Sequence, residues 1–338
     1  MDLAENIIIL IFIALTGLCI GSFLNVVILR TLSGESIVFP PSKCPKCGNK
    51  LKWWHNIPVI SYIFLGGKCG FCKEKISIQY PVVELITCIV FVLSYIRLGL
   101  TFDLLFALVY FSLLIVIAGT DIKEKVVYDL HTHSLVIIGL LYSIILTGLD
   151  MYGSYQLFGT IYLGNSWFQT VPVIQSLLGL ITGAAVMELA ARLGYPIAGN
   201  RAFGEGDTYI AAGIGALFGW RGVLLILAVS VGVQVLLTLP VFFKKLYDKK
   251  EFKTLVSLAL FLIIAIIYGT AQYFGLSDNI IIYLAAAILL AATGLYACKQ
   301  IITGLKNPEE QTYLPFGPAM VIATFLVYFF CKYSPFPF

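Results

Sequence analysis

The chain has 338 residues, of which 59% are hydrophobic and only 12% are charged, and its mean hydropathy is +0.94. Water-soluble domains are about half apolar and a quarter charged, so this composition excludes a soluble globular protein and the disordered, fibrous and disulfide-rich secreted classes. The formal net charge of +4 is too small to indicate a nucleic-acid-binding protein. The composition therefore predicts an all-α polytopic membrane protein.

Apolar stretches long enough to span a bilayer, about 20 residues, recur along the chain. The run at 208–219 is short and contains Gly213, Gly215 and Gly219, which indicates a broken or tilted helix. The first run has no basic flank and favours a retained span over a signal peptide. The runs predict a bundle of about 8–10 transmembrane helices. They lie at 6–29, 80–98, 102–119, 132–149, 173–191, 208–219, 222–242, 254–272, 279–297 and 316–332.

Basic residues in the predicted loops indicate the orientation of the chain, because cytoplasmic loops are enriched in Lys and Arg. The segment 30–79 carries eight basic and two acidic residues, and five lysines lie within 244–253. The loops 150–172 and 273–278 contain neither Lys nor Arg. An N-terminus outside the cytoplasm places every basic loop on the cytoplasmic side, so 30–79 is predicted to form a cytoplasmic loop.

This loop contains two Cys-x-x-Cys pairs that are separated by 21 residues. The spacing is typical of a zinc ribbon, in which two tight knuckles hold four thiolates about 2.3 Å from one ion. Two disulfide bonds are the alternative interpretation, but the cytoplasm keeps thiols reduced. We therefore predict a structural Zn²⁺ bound by Cys44, Cys47, Cys69 and Cys72.

The remaining cysteines and the histidines have no further ligand at a metal-binding spacing. The cysteines lie in apolar spans or at their ends, where small buried hydrophobic side chains are the usual case. The histidines are interpreted as residues of the membrane surface. The residues treated in this way are Cys19, Cys88, Cys298, Cys331, His55, His131 and His133.

Three aspartates border predicted spans on the cytoplasmic side. Asp121 follows an apolar run, Asp129 comes eight residues later, and Asp207 closes the motif Gly204-Glu-Gly-Asp207. Gly204 and Gly206 permit backbone conformations that other residues avoid, and they let a substrate approach closely. Two neighbouring carboxylates share a proton, so one can activate water while the other protonates a carbonyl oxygen. The pattern predicts an aspartic protease site, but these residues alone do not rank Asp121 above Asp129.

Other roles for the acidic residues stay open at this point. An isolated aspartate at a helix end commonly caps the helix or balances a basic neighbour such as Lys123, Lys125 or Arg201. A proton-coupled transporter also uses acids in membrane helices, but it predicts carboxylates near the bilayer midplane and two related repeats. Glu84 and Glu188 lie inside apolar runs. Each is either hydrogen-bonded within the bundle or part of a second site.

Six motifs occur in order from residue 17 to about 220 and again near 315. They are Gly21-Ser-Phe-Leu-Asn-Val-Val-Ile28 with Arg30; the cysteine loop with Trp54, Asn56-Ile-Pro58, Ser61 and Lys68; Ile76-Ser77 with Tyr80-Pro81 and Glu84; Asp121 with Asp129; Gly204-Glu-Gly-Asp207; and Pro315-Phe-Gly-Pro318. This ordered set resembles the bacterial type IV prepilin peptidases, a family of aspartic peptidases with a Gly-x-Gly-Asp motif.

The resemblance implies an aspartic endopeptidase of the bacterial inner membrane whose active site faces the cytoplasm. Asp121 and Asp207 match the family's catalytic aspartates, which implies cleavage of the leader of type IV prepilins and pseudopilins after glycine. It also implies N-methylation of the new N-terminal residue, with S-adenosylmethionine as the methyl donor. The resemblance implies that such a bifunctional enzyme acts in type IV pilus assembly and type II secretion. Its expected partners are prepilin and pseudopilin substrates and membrane lipid, and no nucleic acid is expected.

The resemblance also divides the chain and assigns supporting residues. It predicts a first transmembrane helix at 1–29, a methyltransferase-associated zinc loop at 30–79, a peptidase core at 80–242 and additional C-terminal spans at 243–338. Residues expected to support the peptidase site are Gly204, Gly206 and Asp129. The candidates nearest to a methyl-donor site are Asn25 and Glu84.

Some positions depart from the family pattern. Tyr128 stands where the family usually has proline, and Gly66 replaces a common arginine. The segments 148–172 and 243–297 make the chain longer than is typical. One alternative is an intramembrane protease of the signal-peptide-peptidase type without methyltransferase activity, whose two motifs resemble Tyr128-Asp129 and the Gly-x-Gly-Asp motif. The cysteine loop has no place in that alternative. A stand-alone prepilin peptidase without methyltransferase activity is a closer alternative, but such enzymes usually lack the cysteine loop.

Overall fold

The computed structural model is nearly all-helical in the residues that it describes, which are 3–39, 41–151, 171–193, 201, 203–248, 256 and 315–330. Its elements are α1 Leu3–Ser33, a 3₁₀ turn Trp53–Asn56, α2 Ile60–Phe64, α3 Gln79–Leu98, α4 Phe102–Glu124, α5 Asp129–Met151, α6 Pro172–Arg192, α7 Glu205–Asp248 and α8 Gly317–Phe330.

Six of these helices, α1 and α3 to α7, are long and apolar enough to cross a membrane, and α8 is apolar but has only 14 residues. The chain is therefore a multi-pass membrane protein, and the predicted all-α fold is confirmed. Both runs at 208–219 and 222–242 fall within α7. Gly219 interrupts α7 with φ 69° and ψ 176°, which only glycine adopts readily. The predicted spans 254–272 and 279–297 lie outside the described residues.

The chain divides into two compact units. The first comprises Met1–Val233 and Pro315–Phe338, and the second comprises Gln234–Leu314. The structure describes only 234–248 and residue 256 of the second unit. All the features considered below belong to the first unit.

The turn between α3 and α4 shows how local chemistry fixes a helix corner. Gly99 ends α3 with φ 64°, and its N–H donates to the carbonyl of Tyr95 at 2.8 Å. Thr101 then caps α4, because its hydroxyl oxygen accepts the N–H of Leu104. These two caps reverse the chain within three residues, so α4 runs antiparallel to α3 and returns to the end of α3 at which the cysteine loop attaches.

Helix α4 lies at the centre of the first unit. Its residues Tyr110 and Phe111 are fully buried, and the Tyr110 hydroxyl donates to the carbonyl of Gly213 in α7 at 3.0 Å. Phe111 packs against Tyr328 of α8 with ring centroids 4.9 Å apart. Tyr328 also carries Arg97 over its face at 4.6 Å. These contacts hold α8 in the bundle although it is remote from α4 in sequence.

Close helix packing brings α1 against α3. A Cβ added at Gly17 would meet the Cα of Cys88 at 2.8 Å, and one added at Gly21 would meet the Cα of Glu84 at 2.7 Å. Small residues four apart on one helix face allow two backbones to approach in this way. The packing fixes the base of the cysteine loop, which connects these two helices.

Candidate active site and metal centre

Asp121 lies within the last turn of α4, because the helix continues to Glu124 beyond the predicted span 102–119. It extends the buried stripe of α4 that includes Leu114 and Ile117 at helical spacing. Asp121 is 4% exposed; the backbone N–H of Gly317 faces its carboxyl group, but Oδ2 has no partner at full hydrogen-bond geometry among the described residues. A buried carboxylate oxygen without a partner is costly in a structural role and is typical of a functional site.

Asp207 occupies the first turn of α7 and also stabilises its start. Its Oδ2 accepts the backbone N–H of Gly204 at 3.2 Å, the residue immediately before the helix. Asp207 is the third residue of the helix, and an acidic side chain at this position that accepts the N–H of the capping residue makes one of the two bonds of a capping box. This bond fixes the orientation of the Asp207 carboxyl group, which is only 9% exposed as a residue.

An ion-pair network anchors the turn that precedes Asp207. Arg201 donates to Glu188 of α6 at 2.5 Å and to the carbonyl of Phe203 at 2.9 Å. It also contacts Glu205 at 3.4 Å, while Glu188 pairs with Arg192 at 2.8 Å. The intramembrane acid Glu188 is therefore paired within the bundle, and Arg201 ties the glycine-rich turn to α6.

The ends of α4 and α7 bring Asp121 and Asp207 together. Gly317 lies against both the Asp121 carboxylate and Ile210, which follows Asp207 by three residues in α7, and a Cβ added at Gly206 would overlap with Val127 in the loop after α4. At this approach the charge of Asp207 acts on Asp121. Asp129, by contrast, is exposed at the first residue of α5. Its carbonyl oxygen accepts hydrogen bonds from Thr132 and His133. The geometry thus pairs Asp121 with Asp207 and leaves Asp129 at the rim.

The start of α8 completes the site. Gly317 lies directly against the Asp121 carboxylate, where an added Cβ would overlap with Asp121 Oδ2 and approach Ile210 to 3.2 Å. The ring of the preceding Phe316 packs at a tilt of 58° against that of Phe203 in the glycine-rich turn, with ring centroids 4.9 Å apart. The motif Pro315-Phe-Gly-Pro318 was singled out by resemblance alone, and its contact with Asp121 could not be read from spacing.

We expect Gly317→Ala to lower the rate of cleavage by about 10- to 100-fold, because a shift of about 1 Å in a reacting group can cost that much. The new methyl group displaces the Asp121 carboxylate, whereas binding of substrate elsewhere on the protein is unchanged. The effect is therefore expected in kcat more than in KM, measured with purified enzyme. Gly232→Ala is the matched control, since nothing lies within 4 Å of a Cβ at that position. Equal activity of the two variants would contradict the assigned contact.

The two Cys-x-x-Cys pairs form two similar knuckles that face one another. In the first knuckle the Cys44 N–H donates to the carbonyl of Asn49 at 3.0 Å, and in the second the Cys69 N–H donates to that of Glu74 at 2.8 Å. Gly48 and Lys73, which follow the second cysteine of each pair, both have positive φ, at 71° and 61°. The same local turn is thus built twice from related sequences.

The four sulfur atoms fit a tetrahedral metal site. They all lie within 4.8 Å of one another, and the Sγ atoms of Cys44 and Cys72 are 3.9 Å apart. Thiolates about 2.3 Å from a shared ion stand about 3.8 Å apart in a regular tetrahedron. Backbone N–H groups of Cys72 and Phe71 lower the pKa of the Cys69 thiol to about 6. Although the backbone N–H of Glu74 lowers it, burial and the neighbouring thiols raise the pKa of the Cys72 thiol to about 11, so a metal ion that binds all four sulfur atoms displaces a proton from Cys72. The spacing of the four sulfur atoms can hold a metal ion.

Asn25 and Glu84 meet at a buried junction between α1, α3 and the cysteine loop. The Asn25 side-chain amide donates to the carbonyl of Tyr80 at 3.1 Å. Glu84 accepts the backbone N–H of Val59 at 2.7 Å and also the hydroxyl of Ser22. Glu84 thus ties the loop to α3, and Asn25 ties α1 to the first turn of α3. The Asn25 Oδ1 atom is buried and has no partner among the described residues.

A shallow cavity of about 580 Å³, open to solvent, lies beside this junction between α1 and the first part of the cysteine loop. Its wall is mixed, with Phe23 and Val26 of α1 on one side and the polar side chains of Ser22, Arg30 and Asn56 around it. Such a combination of apolar surface and a few polar groups is typical of sites for small ligands.

Two family models match the chain. Residues 15–98 match the bacterial peptidase A24 N-terminal domain, and residues 108–239 match the type IV leader peptidase family. The first range includes the cysteine loop with the Asn25–Glu84 junction, and the second includes Asp121 and Asp207. Gly317 lies outside both ranges.

Curated proteins named prepilin leader peptidase/N-methyltransferase are similar to the chain. The protein of Myxococcus xanthus is 35% identical over 233 residues, which cover 67% of this chain and 63% of that protein. Those of Xanthomonas campestris and Klebsiella pneumoniae are 32% and 31% identical, over 63% and 62% of this chain and 75% and 85% of their own lengths. The chain thus spans less than two thirds of the Myxococcus protein. No solved structure matches the chain.

Proposed function

The chain belongs to the type IV leader peptidase family, and we propose that it is a membrane-embedded aspartic endopeptidase that removes the leader of type IV prepilins and pseudopilins. The proposal includes N-methylation of the newly exposed N-terminal residue, the second activity that the names of the similar proteins carry. The observation that carries the proposal is the pairing of Asp121 with Asp207 at the buried ends of α4 and α7.

The paired carboxylates support a mechanism of general acid and base catalysis. With one carboxyl group ionised and the other protonated, the ionised group takes a proton from a water molecule that attacks the scissile carbonyl carbon. The protonated group donates its proton to the carbonyl oxygen, so a neutral tetrahedral intermediate forms. Collapse of this intermediate breaks the C–N bond, and the leaving amine receives a proton from the carboxyl group that took it from water. A hydroxyl group of the intermediate returns its proton to the other carboxylate as the carbonyl reforms, so the pair ends as it began, with one group ionised and one protonated.

The position of the acids at helix ends fits the proposed substrate. A prepilin leader is short and basic, and the mature sequence begins with an apolar helix, so the scissile bond lies where membrane meets water. The excess of basic residues in 30–79 and 244–253 supports an orientation with this face in the cytoplasm. We propose the bacterial inner membrane as the location on the same grounds.

The same placement counts against the two alternatives. A proton-coupled transporter predicts acids near the bilayer midplane, whereas Asp121 and Asp207 lie in the last and first turns of their helices. A protease of the signal-peptide-peptidase type accounts for neither the cysteine cluster nor the match of 15–98 to the A24 N-terminal domain.

For the metal centre, we propose that Cys44, Cys47, Cys69 and Cys72 bind a structural Zn²⁺. Four thiolates fill a tetrahedral shell, so the ion has no open position for substrate or water. Its role in the proposal is to fold the loop between α1 and α3.

For the methyl donor, we propose the cavity beside the Asn25–Glu84 junction. The hydroxyl of Ser22 and the amide of Asn56 would bind its polar groups, and Phe23 would contact its flat apolar surface. When bound, S-adenosylmethionine supplies the methyl group for the new N-terminal amine. The bond from Val59 to Glu84 holds the adjoining loop residues Asn56 and Pro58 of the cavity wall near α3. The bond from Asn25 to Tyr80 holds α1 against α3.

Purified full-length protein, reconstituted in lipid and incubated with a prepilin, tests both activities by product mass. We expect loss of the leader without cofactor, and the further mass of one methyl group when S-adenosylmethionine is present. Intact prepilin after incubation with folded enzyme would refute the peptidase. Cleavage without methylation would retain the peptidase and reject the second activity.

A further inference from the structure

The middle of the cysteine loop is fixed at the depth of α3 rather than extended away from it. The N–H of Val59 donates to Glu84 Oε2 at 2.7 Å, and Glu84 lies five residues after the first residue of α3, Gln79. At a rise of 1.5 Å per residue, this is about 7.5 Å into the helix. Val59 has φ 59° and ψ −48°, which a β-branched residue adopts only when its surroundings impose it. Helix α2, which begins at the next residue, therefore starts level with a membrane-spanning helix.

The segment at this depth has an exposed apolar surface. Helix α2 is the five-residue sequence Ile-Ser-Tyr-Ile-Phe and has no buried residue. Ile63 is 69% exposed and Phe64 is 87% exposed, while Trp53 in the adjoining 3₁₀ turn is 76% exposed. A contiguous patch of this kind, rimmed by polar residues, marks a protein or membrane contact. We call Trp53, Trp54, Ile60, Ile63 and Phe64 the apolar patch of the loop.

The loop that carries this patch is rich in positive charge. The loop exposes seven lysines against two glutamates, and none of these lysines forms an ion pair with another described residue. Lys52 lies over the ring of Trp54 at 4.9 Å. Tryptophan rings at the membrane surface with lysines beside them are typical of segments that lie in the headgroup region of anionic bilayers. The lysines are Lys43, Lys46, Lys50, Lys52, Lys68, Lys73 and Lys75.

We propose that the apolar patch inserts into the lipid headgroup region beside α1 and α3, with the lysines of the loop bound to anionic phospholipid. Two observations favour lipid over a protein partner: the link between Val59 and Glu84 holds the patch at the depth of the bilayer surface, and both ends of the loop continue into membrane-spanning helices. The proposal requires only that α1 and α3 span the membrane. It is independent of the peptidase and methyltransferase activities.

Tryptophan fluorescence in reconstituted vesicles tests the depth of the patch. The full-length chain has four tryptophans, so Trp167→Phe combined with Trp220→Phe leaves only Trp53 and Trp54. The vesicles contain phosphatidylcholine with phosphatidylglycerol and a phosphatidylcholine brominated either near the headgroup or near the chain ends. We expect shallow bromines to reduce the emission by about half or more, deep bromines to have little effect, and aqueous acrylamide to quench weakly.

The charge contribution is tested in the same vesicles. Lys46→Gln, Lys50→Gln and Lys52→Gln together, or omission of phosphatidylglycerol, should weaken quenching by shallow bromines. Lys123→Gln, an exposed lysine after Asp121, is the matched control and should leave the quenching unchanged. A second probe, Phe64→Trp in a chain whose own tryptophans are all phenylalanine, should report the same shallow depth.

Strong quenching by acrylamide with no effect of bromine would overturn the proposal by placing the patch in water. Protection from both quenchers would overturn it as well, because the patch would then be covered by protein. If the protection increased with the density of protein in the vesicles, a second copy of the chain would be what covers the patch. If the protection appeared only after a prepilin was added, the prepilin would be what covers it.

Discussion

Asp121→Asn and Asp207→Asn are each expected to reduce cleavage of a prepilin by at least about 10³-fold, because each removes one partner of the acid and base pair. The double variant should be no less active than either single variant, since the two carboxyl groups act as a unit. Thermal stability should stay equal or rise, because the substitution removes a charge from a site where Asp121 and Asp207 repel each other. Product mass and the melting temperature of the purified protein check the two statements.

Two neighbouring acids are the controls for this experiment. Glu205→Gln changes an exposed residue of the same turn, whose side chain is 78% exposed, and should retain cleavage. Asp129→Asn changes an exposed residue at the start of α5, and its effect should stay below about tenfold. If Asp129→Asn lost as much cleavage activity as Asp121→Asn, the assignment of Asp121 rather than Asp129 to the catalytic pair would be wrong. Normal cleavage by Asp207→Asn would refute the mechanism.

The contrast between Asp121 and Asp129 shows where sequence reasoning ended. Hydropathy placed Asp121 after the span, because Asp121, Lys123 and Glu124 are polar. The backbone continues the helix through them until Lys125, whose φ of 57° ends it. Helical spacing from Leu114 and Ile117 does carry the buried face on to Asp121, and this signal could have ranked it above Asp129. Its pairing with Asp207 depends on how α4 packs on α7, which no local pattern specifies.

The contacts of the other buried polar residues are also tertiary. Glu188 pairs with Arg201, which lies in the connection between α6 and α7. Glu84 pairs with the backbone of Val59 in the cysteine loop. Sequence distance gives no preference for either pairing. The contact of Gly317 with Asp121 spans nearly two hundred residues and follows from the aromatic packing of α8 on α4. Only the resemblance drew attention to that motif beforehand.

The cysteine cluster was predictable in detail because each knuckle is local. Cys-x-x-Cys followed by a residue with positive φ forms the same turn in both knuckles, and Gly48 supplies that conformation without strain. Two such turns need only face each other to close a tetrahedron. Lys73 occupies the equivalent place in the second knuckle and adopts the same positive φ, although it lacks the conformational freedom of glycine. The second turn therefore depends more on its ligands than the first.

Loss of one thiolate should remove the metal and unfold the loop. We expect Cys44→Ser to reduce bound zinc from about one ion per chain to a small fraction of that, because a structural site needs all four ligands. Binding of zinc at such sites contributes roughly 10–16 kcal/mol to folding at neutral pH. The seven lysines of the loop should then become sites of rapid trypsin cleavage, which gel electrophoresis and metal analysis of the same sample detect together.

The matched control is Cys19→Ser, an exposed cysteine of α1 that is remote in sequence from both knuckles; it should retain zinc and resistance to trypsin. A strong chelator should reproduce the effect of Cys44→Ser in the unmodified chain, and added zinc should reverse it. Trypsin resistance that survives both the substitution and the chelator would show that the loop folds without metal. In that case the bond between Val59 and Glu84 would be a contact that holds it, and the thiolates would have another role.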